Sequence, residues 1–356
     1  MELNNLPPEC PNYRVRLFLA VDLANSTAFK SSRNPSVWVP IFQSFYTEYA
    51  ELFRRKHLQL IDHSPYQNDS LKTRPPLLWK TVGDEIIFVN TVESCFEVFY
   101  FVKAFSEALQ EYDQMLKDDK KTSNLGVKGS AWIASFPFPN STIMIPDLSK
   151  GGEGDLTFHE SIESSADNHP HLHEFLGKGL DYGFRISQHS SDDFFAVSPA
   201  LANILARAGV NEDYGNLGVQ LRIKEPVKLK GVLDGRDYPV IGIPIYKSEE
   251  WAELRQKQEK LLGSDQTDQQ DLRRYFQLFL KLYEVEEPSL KVRPDDPQLA
   301  PPSFYSETFV PGWVESAREV IEQDKLIEES SKDEGRGEID EAKLMRIIEW
   351  LSKTIS

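Results

Sequence analysis

The chain has 356 residues, 40% of them hydrophobic, with a formal net charge of −16. That length suits one large domain with an appendage, or two domains, with enough apolar residues for a packed core. The acidic balance argues against a surface built for nucleic acid or for an anionic membrane, since both need a basic patch. In chain order, residues 1–12 read as a loose arm. They show no signal-peptide pattern, and no apolar run in the chain reaches the length of a membrane span. Cys10 and Cys95 alone make no disulfide framework, so the expectation is a soluble protein of the reducing cytoplasm.

Residues 14–22 read as a first strand, whose apolar run from Leu17 to Val21 ends at Asp22. Residues 37–54 have helical spacing, with Phe42, Phe45, Tyr46, Tyr49, Leu52 and Phe53 on the apolar side. Residues 64–76 are a polar, proline-rich loop. Two strand-like runs then flank Gly83-Asp84, the pattern of a β-hairpin with Asp84 at its tip. A second helix is expected over 92–115, a charged break over 117–124 and an apolar central strand over 127–136. Residues 137–178 read as the longest irregular part, with short strands at 142–145 and 156–158. The glycines at 151, 152 and 154 lack the Lys-Ser/Thr of a phosphate loop. His159, His169, His171 and His173 lack zinc-site spacing and read as part of an exposed polar loop.

Residues 181–190 read as a helix with Asp181 and Arg185 one turn apart, an arrangement that suits a surface ion pair. A strand at 194–197, a helix at 198–207 and strands at 219–223, 227–229 and 240–245 follow. Beyond residue 247 the composition turns charged and helical. Helices are expected at 249–262, 272–283, 314–327 and 340–355, with a proline-rich linker over 292–302. The stripe of Leu344, Ile347, Ile348 and Leu351 must pack on something, its own domain or a partner.

The chemistry concentrates on two aspartates. Asp22 ends a strand and is followed by Asn25, Ser26 and Thr27 where a helix starts; Asp84 stands on a hairpin tip. Carboxylates on rigid elements are good ligands for a hard cation, and the N–H groups of the turn face phosphates. The run Phe18 to Thr27 resembles the first metal motif of class III nucleotidyl cyclases, and Lys80-Thr81-Val82-Gly83-Asp84 resembles their Lys-x-x-Gly-Asp hairpin. Asp181-Tyr182-Gly183-Phe184-Arg185 is similar to their Asn-x-x-x-Arg motif with Asp at the Asn position, and Val227 to Gly231 to their closing Leu-Lys-Gly hairpin. The four fall in family order over residues 13–247, and the Asp-x-Gly-Phe-Arg variant looks most like the bacterial pyrimidine cyclases of the Pycsar antiphage systems.

The resemblance implies an α+β fold: a ferredoxin-like βαββαβ core, an antiparallel sheet with helices on one side. A catalytic domain over 1–247 and a helical extension over 248–356 go with it. It implies conversion of a pyrimidine nucleoside triphosphate, UTP first and CTP second, to the 3′,5′-cyclic monophosphate, with a separate effector reading the product. Asp22, Asp84 and the Leu23 carbonyl would hold two Mg²⁺ or Mn²⁺ ions, as an all-oxygen ligand set suggests. Arg185 would meet transition-state charge, Asp181 orient the ribose, Lys230 hold the terminal phosphates, and Lys80 and Tyr46 border the base. It further implies a homodimer with active sites shared between chains. An adenylyl or guanylyl cyclase and a silent nucleotide-binding module are the competing readings.

Overall fold

The computed structural model describes residues 10–63, 74–145, 159–208, 219–229, 235–246, 248–261, 269–285 and 287–317. Lys230 and Gly231, the glycines at 151–154, the strand at 156–158, most of the 64–76 loop, residues 318–327 and the 340–355 helix with its stripe lie outside the described residues. The chain divides into two compact units, residues 14–134 with 178–299, and residues 1–13 with 135–177 and 300–356. No described helix is long and apolar enough to cross a membrane.

The strands are β1 (Arg14–Ala24), β2 (Leu77–Val82), β3 (Glu85–Val92), β4 (Gly126–Phe136), β5 (Ser141–Met144), β6 (His173–Leu176), β7 (Phe194–Val197), β8 (Arg222–Lys228) and β9 (Asp237–Pro244). Among the described residues the α-helices include α1 (Ser26–Ser31), α2 (Pro35–Asp62), α3 (Cys95–Asp118), α4 (Glu160–Asn168), α5 (Lys178–Ser187), α6 (Pro199–Ala208), α7 (Glu249–Leu261) and α8 (Gln269–Leu282), and residues 303–317 are helical as well. A seven-stranded sheet runs β2-β3-β1-β4-β7-β9-β8. Its first four strands, joined as β1-α2-β2-β3-α3-β4, have the ferredoxin-like order that the resemblance implies. Pairing is antiparallel for β1/β3, β2/β3, β7/β9 and β8/β9, and parallel for β4/β7.

Helix starts follow local chemistry. Asn34 caps α2 by accepting from the Ser36 N–H at 3.1 Å, with Pro35 in the first turn. Ser94 and Glu97 form a capping box on α3. These two helices cover the sheet face that carries Leu19 and Phe88, which are paired across β1 and β3. Phe53 of α2 meets Phe88 at 5.2 Å between ring centroids and Phe105 of α3 at 5.1 Å.

The sheet and its covering helices have the expected α+β arrangement, and one helix, α5, packs on the face opposite α2 and α3. The Trp132 ring of β4 stacks on Phe18 of β1 at 5.4 Å and 3°, and a Cβ built on Gly183 of α5 would meet that Trp132 ring at 2.2 Å. Glycine here lets the helix backbone rest on an indole face. Two expectations change. The strands at 219–223 and 227–229 are one strand, β8, irregular between Lys224 and Val227 where Pro226 cannot join the ladder. The 137–178 stretch also holds α4, whose serines and acids hid a short helix burying Ile162 and Ala166.

The unit built from residues 135–177 and its flanks contains the antiparallel β5/β6 pair, with Thr142 donating to Glu163 of α4 at 2.9 Å. His173 is buried in β6 with Nδ1 3.0 Å from the His169 carbonyl, rather than solvent-exposed as the polar run suggested. His169 and His171 are exposed.

Candidate active site

Asp22 lies near the end of β1, opposite Glu85 of β3 in the ladder. Between β2 and β3 only Gly83 and Asp84 remain, and Gly83 has φ +65°, a conformation that suits glycine at the first position of a two-residue hairpin. Three contacts hold this tip against the end of β1, the start of α1 and α2. The Leu23 N–H donates to the Asp84 carbonyl at 3.2 Å, the Ser26 hydroxyl donates to the Asp84 carboxylate, and the Tyr46 hydroxyl donates to the Gly83 carbonyl. Asn25 turns the chain out of β1 at φ 65°, which asparagine tolerates, and donates to the Asn124 carbonyl at 3.2 Å. Thr27 is exposed.

Each aspartate faces a lysine. The Lys128 ammonium of β4 is 2.9 Å from Asp22 Oδ2, and the Lys30 ammonium of α1 is 3.6 Å from Asp84 Oδ1. Burial lifts the Asp22 carboxyl above the usual carboxylate range; Lys128 pulls it back and Asp84 adds to the rise. Burial, with Asp22 and Asp84 adding and Lys128 opposing, pushes Glu85 up to about 7. Burial and the nearby Asp84 also raise the Tyr46 phenol. Three acids and two ammonium groups therefore share one end of the sheet.

The second group of expected site residues lies on α5 and β2. Asp181 is exposed and Arg185 half-buried, and among the described residues neither has an ion-pair partner, so the surface pair that their spacing allows is not formed. The Phe184 ring, next to Arg185, packs at 5.4 Å from Trp132 and 6.3 Å from Trp79. The Lys80 ammonium lies 4.0 Å over Trp79 and 5.9 Å over Phe184. Asp22, Leu23, Ser26 and Asp84 are thus brought together, as are Lys80 and α5. Among the described residues no hydrogen bond or ion pair links Asp181 or Arg185 to the aspartate end.

Sequence reasoning passed over Lys128, Lys30 and Glu85. A lone lysine in a strand otherwise read as apolar was the available signal for Lys128; Lys30 and Glu85 stand close in sequence to residues already singled out.

The donors at the aspartate end fit a divalent ion of the magnesium kind. Among the described residues no group of three or more His, Cys, Asp or Glu side chains is placed to hold an ion. Mg²⁺ takes one or two carboxylates, keeps waters and completes its shell with substrate phosphates, and Asp22 with Asp84 meets that requirement.

No protein-family model matches the chain, and no curated protein matches it in sequence. Among solved structures, the catalytic core of a rhodopsin-guanylyl cyclase with converted specificity, in complex with ATPalphaS, is 13% identical over 65% of this chain and 96% of its own, with a TM-score of 0.41. The adenylyl cyclase CyaB from P. aeruginosa is 9% identical over 67% of this chain and 97% of its own, with a TM-score of 0.43. The guanylate cyclase domain of RhGC from Catenaria anguillulae, in complex with GTP, is 12% identical over 66% of this chain and all of its own (100%), with a TM-score of 0.40.

Proposed function

We propose that the chain is a nucleotide cyclase that converts a pyrimidine nucleoside triphosphate, UTP first and CTP second, to its 3′,5′-cyclic monophosphate with release of pyrophosphate. The observation that carries this reading is the convergence of Asp22 and Asp84 beside the turn at Asn25–Ser26, held by the Leu23–Asp84 and Ser26–Asp84 hydrogen bonds.

In the reaction the ribose 3′-oxygen attacks the α-phosphorus, the bond from that phosphorus to the bridging oxygen breaks, pyrophosphate leaves with the electron pair, and the hydroxyl proton passes to solvent. Asp22, Asp84 and the Leu23 carbonyl would hold the two ions, and bound Mg²⁺ or Mn²⁺ supplies acidification of the hydroxyl and neutralisation of the triphosphate. Ser26 orients Asp84 through its hydroxyl. Tyr46 fixes the hairpin tip by its bond to Gly83, beside the place assigned to the base. The N–H groups of Asn25, Ser26 and Thr27 are candidates for the β- and γ-phosphates, and Lys230 for the terminal ones. Arg185 offers a guanidinium, without an ion-pair partner among the described residues, for charge that builds on phosphate oxygens. Asp181 is solvated, which lessens the repulsion a carboxylate brings near phosphates, and is assigned to the ribose. Lys80 is assigned to a base oxygen.

Among the described residues no hydrogen bond or ion pair joins Arg185 to Asp22 or Asp84 of the same chain, which supports a homodimer in which one chain supplies the aspartates and the other the arginine. The Asp-x-Gly-Phe-Arg variant supports the pyrimidine, and with it second-messenger synthesis in cytoplasmic antiphage defence, the product being read by a separate effector. The test is incubation with all four nucleoside triphosphates and Mn²⁺, with products identified by mass. Cyclic UMP as the main product is expected. Dominant cyclic AMP or GMP would make it a purine cyclase, and no cyclic product from any nucleotide would leave a silent binding module.

A further inference from the structure

We propose that Lys128 is the counter-cation of Asp22 in the nucleotide-free protein and competes with a divalent ion for that carboxylate, so that metal binds tightly only when it arrives with a triphosphate. This rests on Asp22 being a metal ligand.

The contact is set by the sheet rather than by chance reach of a surface side chain. β1 and β4 are neighbours. Phe18 stacks on Trp132, and Lys128, four residues before Trp132, meets Asp22, four residues after Phe18, at 2.9 Å. In an antiparallel pair those are cross-strand partners on one face, since side chains alternate with period two. The ammonium is therefore delivered from a central strand flanked by β1 and β7. Lys30 differs: its helix is six residues long, its ammonium stands 3.6 Å from Asp84 and also lies 5.2 Å over the Phe42 ring.

A divalent ion on Asp22 would stand next to this ammonium, and the repulsion of like charges in a half-buried site weakens binding by about tenfold or more. Phosphate oxygens remove the conflict. The lysine stem is flexible, its head is a point charge suited to phosphate, and a triphosphate gives it a new partner while the ion takes Asp22. Lys128 is thus a phosphate-facing cation as well as a gate.

The experiment measures Mn²⁺ binding to the full chain without nucleotide, by calorimetry or by the free-ion magnetic resonance signal. It is run at about pH 8, well above the ordinary carboxylate range. Lys128→Met and Lys128→Gln should bind Mn²⁺ about tenfold tighter than wild type, and Lys128→Arg should match wild type. Adding Asp22→Asn to Lys128→Met should abolish the gain, with circular dichroism confirming the fold of each variant. If neither neutral variant binds more tightly, the gate is overturned. If binding is equal in wild type and Lys128→Met but lost with Asp22→Asn, the metal reading still stands. If the tighter binding survives Asp22→Asn, both fall.

Discussion

The two faces of the sheet use alternate residues of the same strand for different ends. On one face Leu19 and Phe88 disappear beneath α2 and α3, at 1% and 2% exposure. On the other, Phe18 begins a row that passes through aromatic packing on Trp79 and Trp132 and ends in charge: Asp22, Glu85 and Lys128. Asp22 and Lys128 keep 28% and 31% of their side-chain surface. The first face is a core closed by helices, while the second is open at its charged end and carries α5, whose Arg185 has no ion-pair partner among the described residues. Stability should therefore be lost by changes on the helix-covered face and chemistry by changes on the open one.

The largest effect is expected on the covered face. Phe88→Ala removes a ring in contact with Tyr49, Phe53 and Phe105, and should lower unfolding free energy by about 3–5 kcal/mol while leaving turnover per folded molecule near wild type. A denaturant titration paired with an activity measurement on the folded fraction decides it; a large loss of turnover would erase the distinction between the faces. On the open face the pattern should invert. Asp22→Ala or Asp84→Ala should reduce turnover by at least about 10²-fold and shift stability by no more than about 1 kcal/mol. Near-normal turnover in either folded variant would remove the metal reading.

What could be read from the sequence was what is local to it. The Gly83-Asp84 hairpin, the aspartate at the end of β1 and the helical run of Phe45, Tyr49 and Phe53 each lie within one element or one turn, where period and turn chemistry decide. The strand order, too, was implied by the resemblance those motifs carried. What stayed hidden depends on register between distant strands. That Lys128 faces Asp22 follows only once β4 is known to lie beside β1 with Trp132 on Phe18. Gly183 was visible as a letter of a motif, but its reason, an indole pressed against the helix backbone, was not. α4 was missed because a short polar helix carries little period, and β8 was split because Pro226 interrupts a strand at the sheet edge.

The open face can be probed further by splitting its two halves between chains. If Asp84 serves one site of a homodimer and Arg185 of the same chain serves the other, Asp84→Ala and Arg185→Ala are each inactive alone. Mixed and allowed to exchange subunits, about half the dimers are hybrids with one intact site of two, so activity should return to about a quarter of wild type. Exchange shown independently, by a tag on one variant, with no recovery of activity would place every catalytic group in one chain.

The smallest effect returns to the covered side, in the layer that α2 and α3 form. His57 of α2 is 2% exposed, stacks on Phe101 of α3 at 4.2 Å, and its Nδ1 has no hydrogen-bond partner among the described residues. Burial lowers its pKa from 6.5 to about 4. The unfolded chain therefore binds the proton more readily between those values. The stability tied to a neutral His57 is complete above the unfolded pKa, falls as pH drops through that window, and has fallen by about 3 kcal/mol below the folded pKa. Between pH 7 and about pH 5.5 only part of this appears, about 1 kcal/mol. His57→Phe keeps a ring against Phe101 and removes the titration. The difference in unfolding free energy between wild type and His57→Phe should then move in favour of the variant by that amount over the same interval, read by denaturant melts at each pH. A difference that stays constant with pH would show that His57 titrates alike in the folded and unfolded chains, and that this layer is wetter than its packing implies.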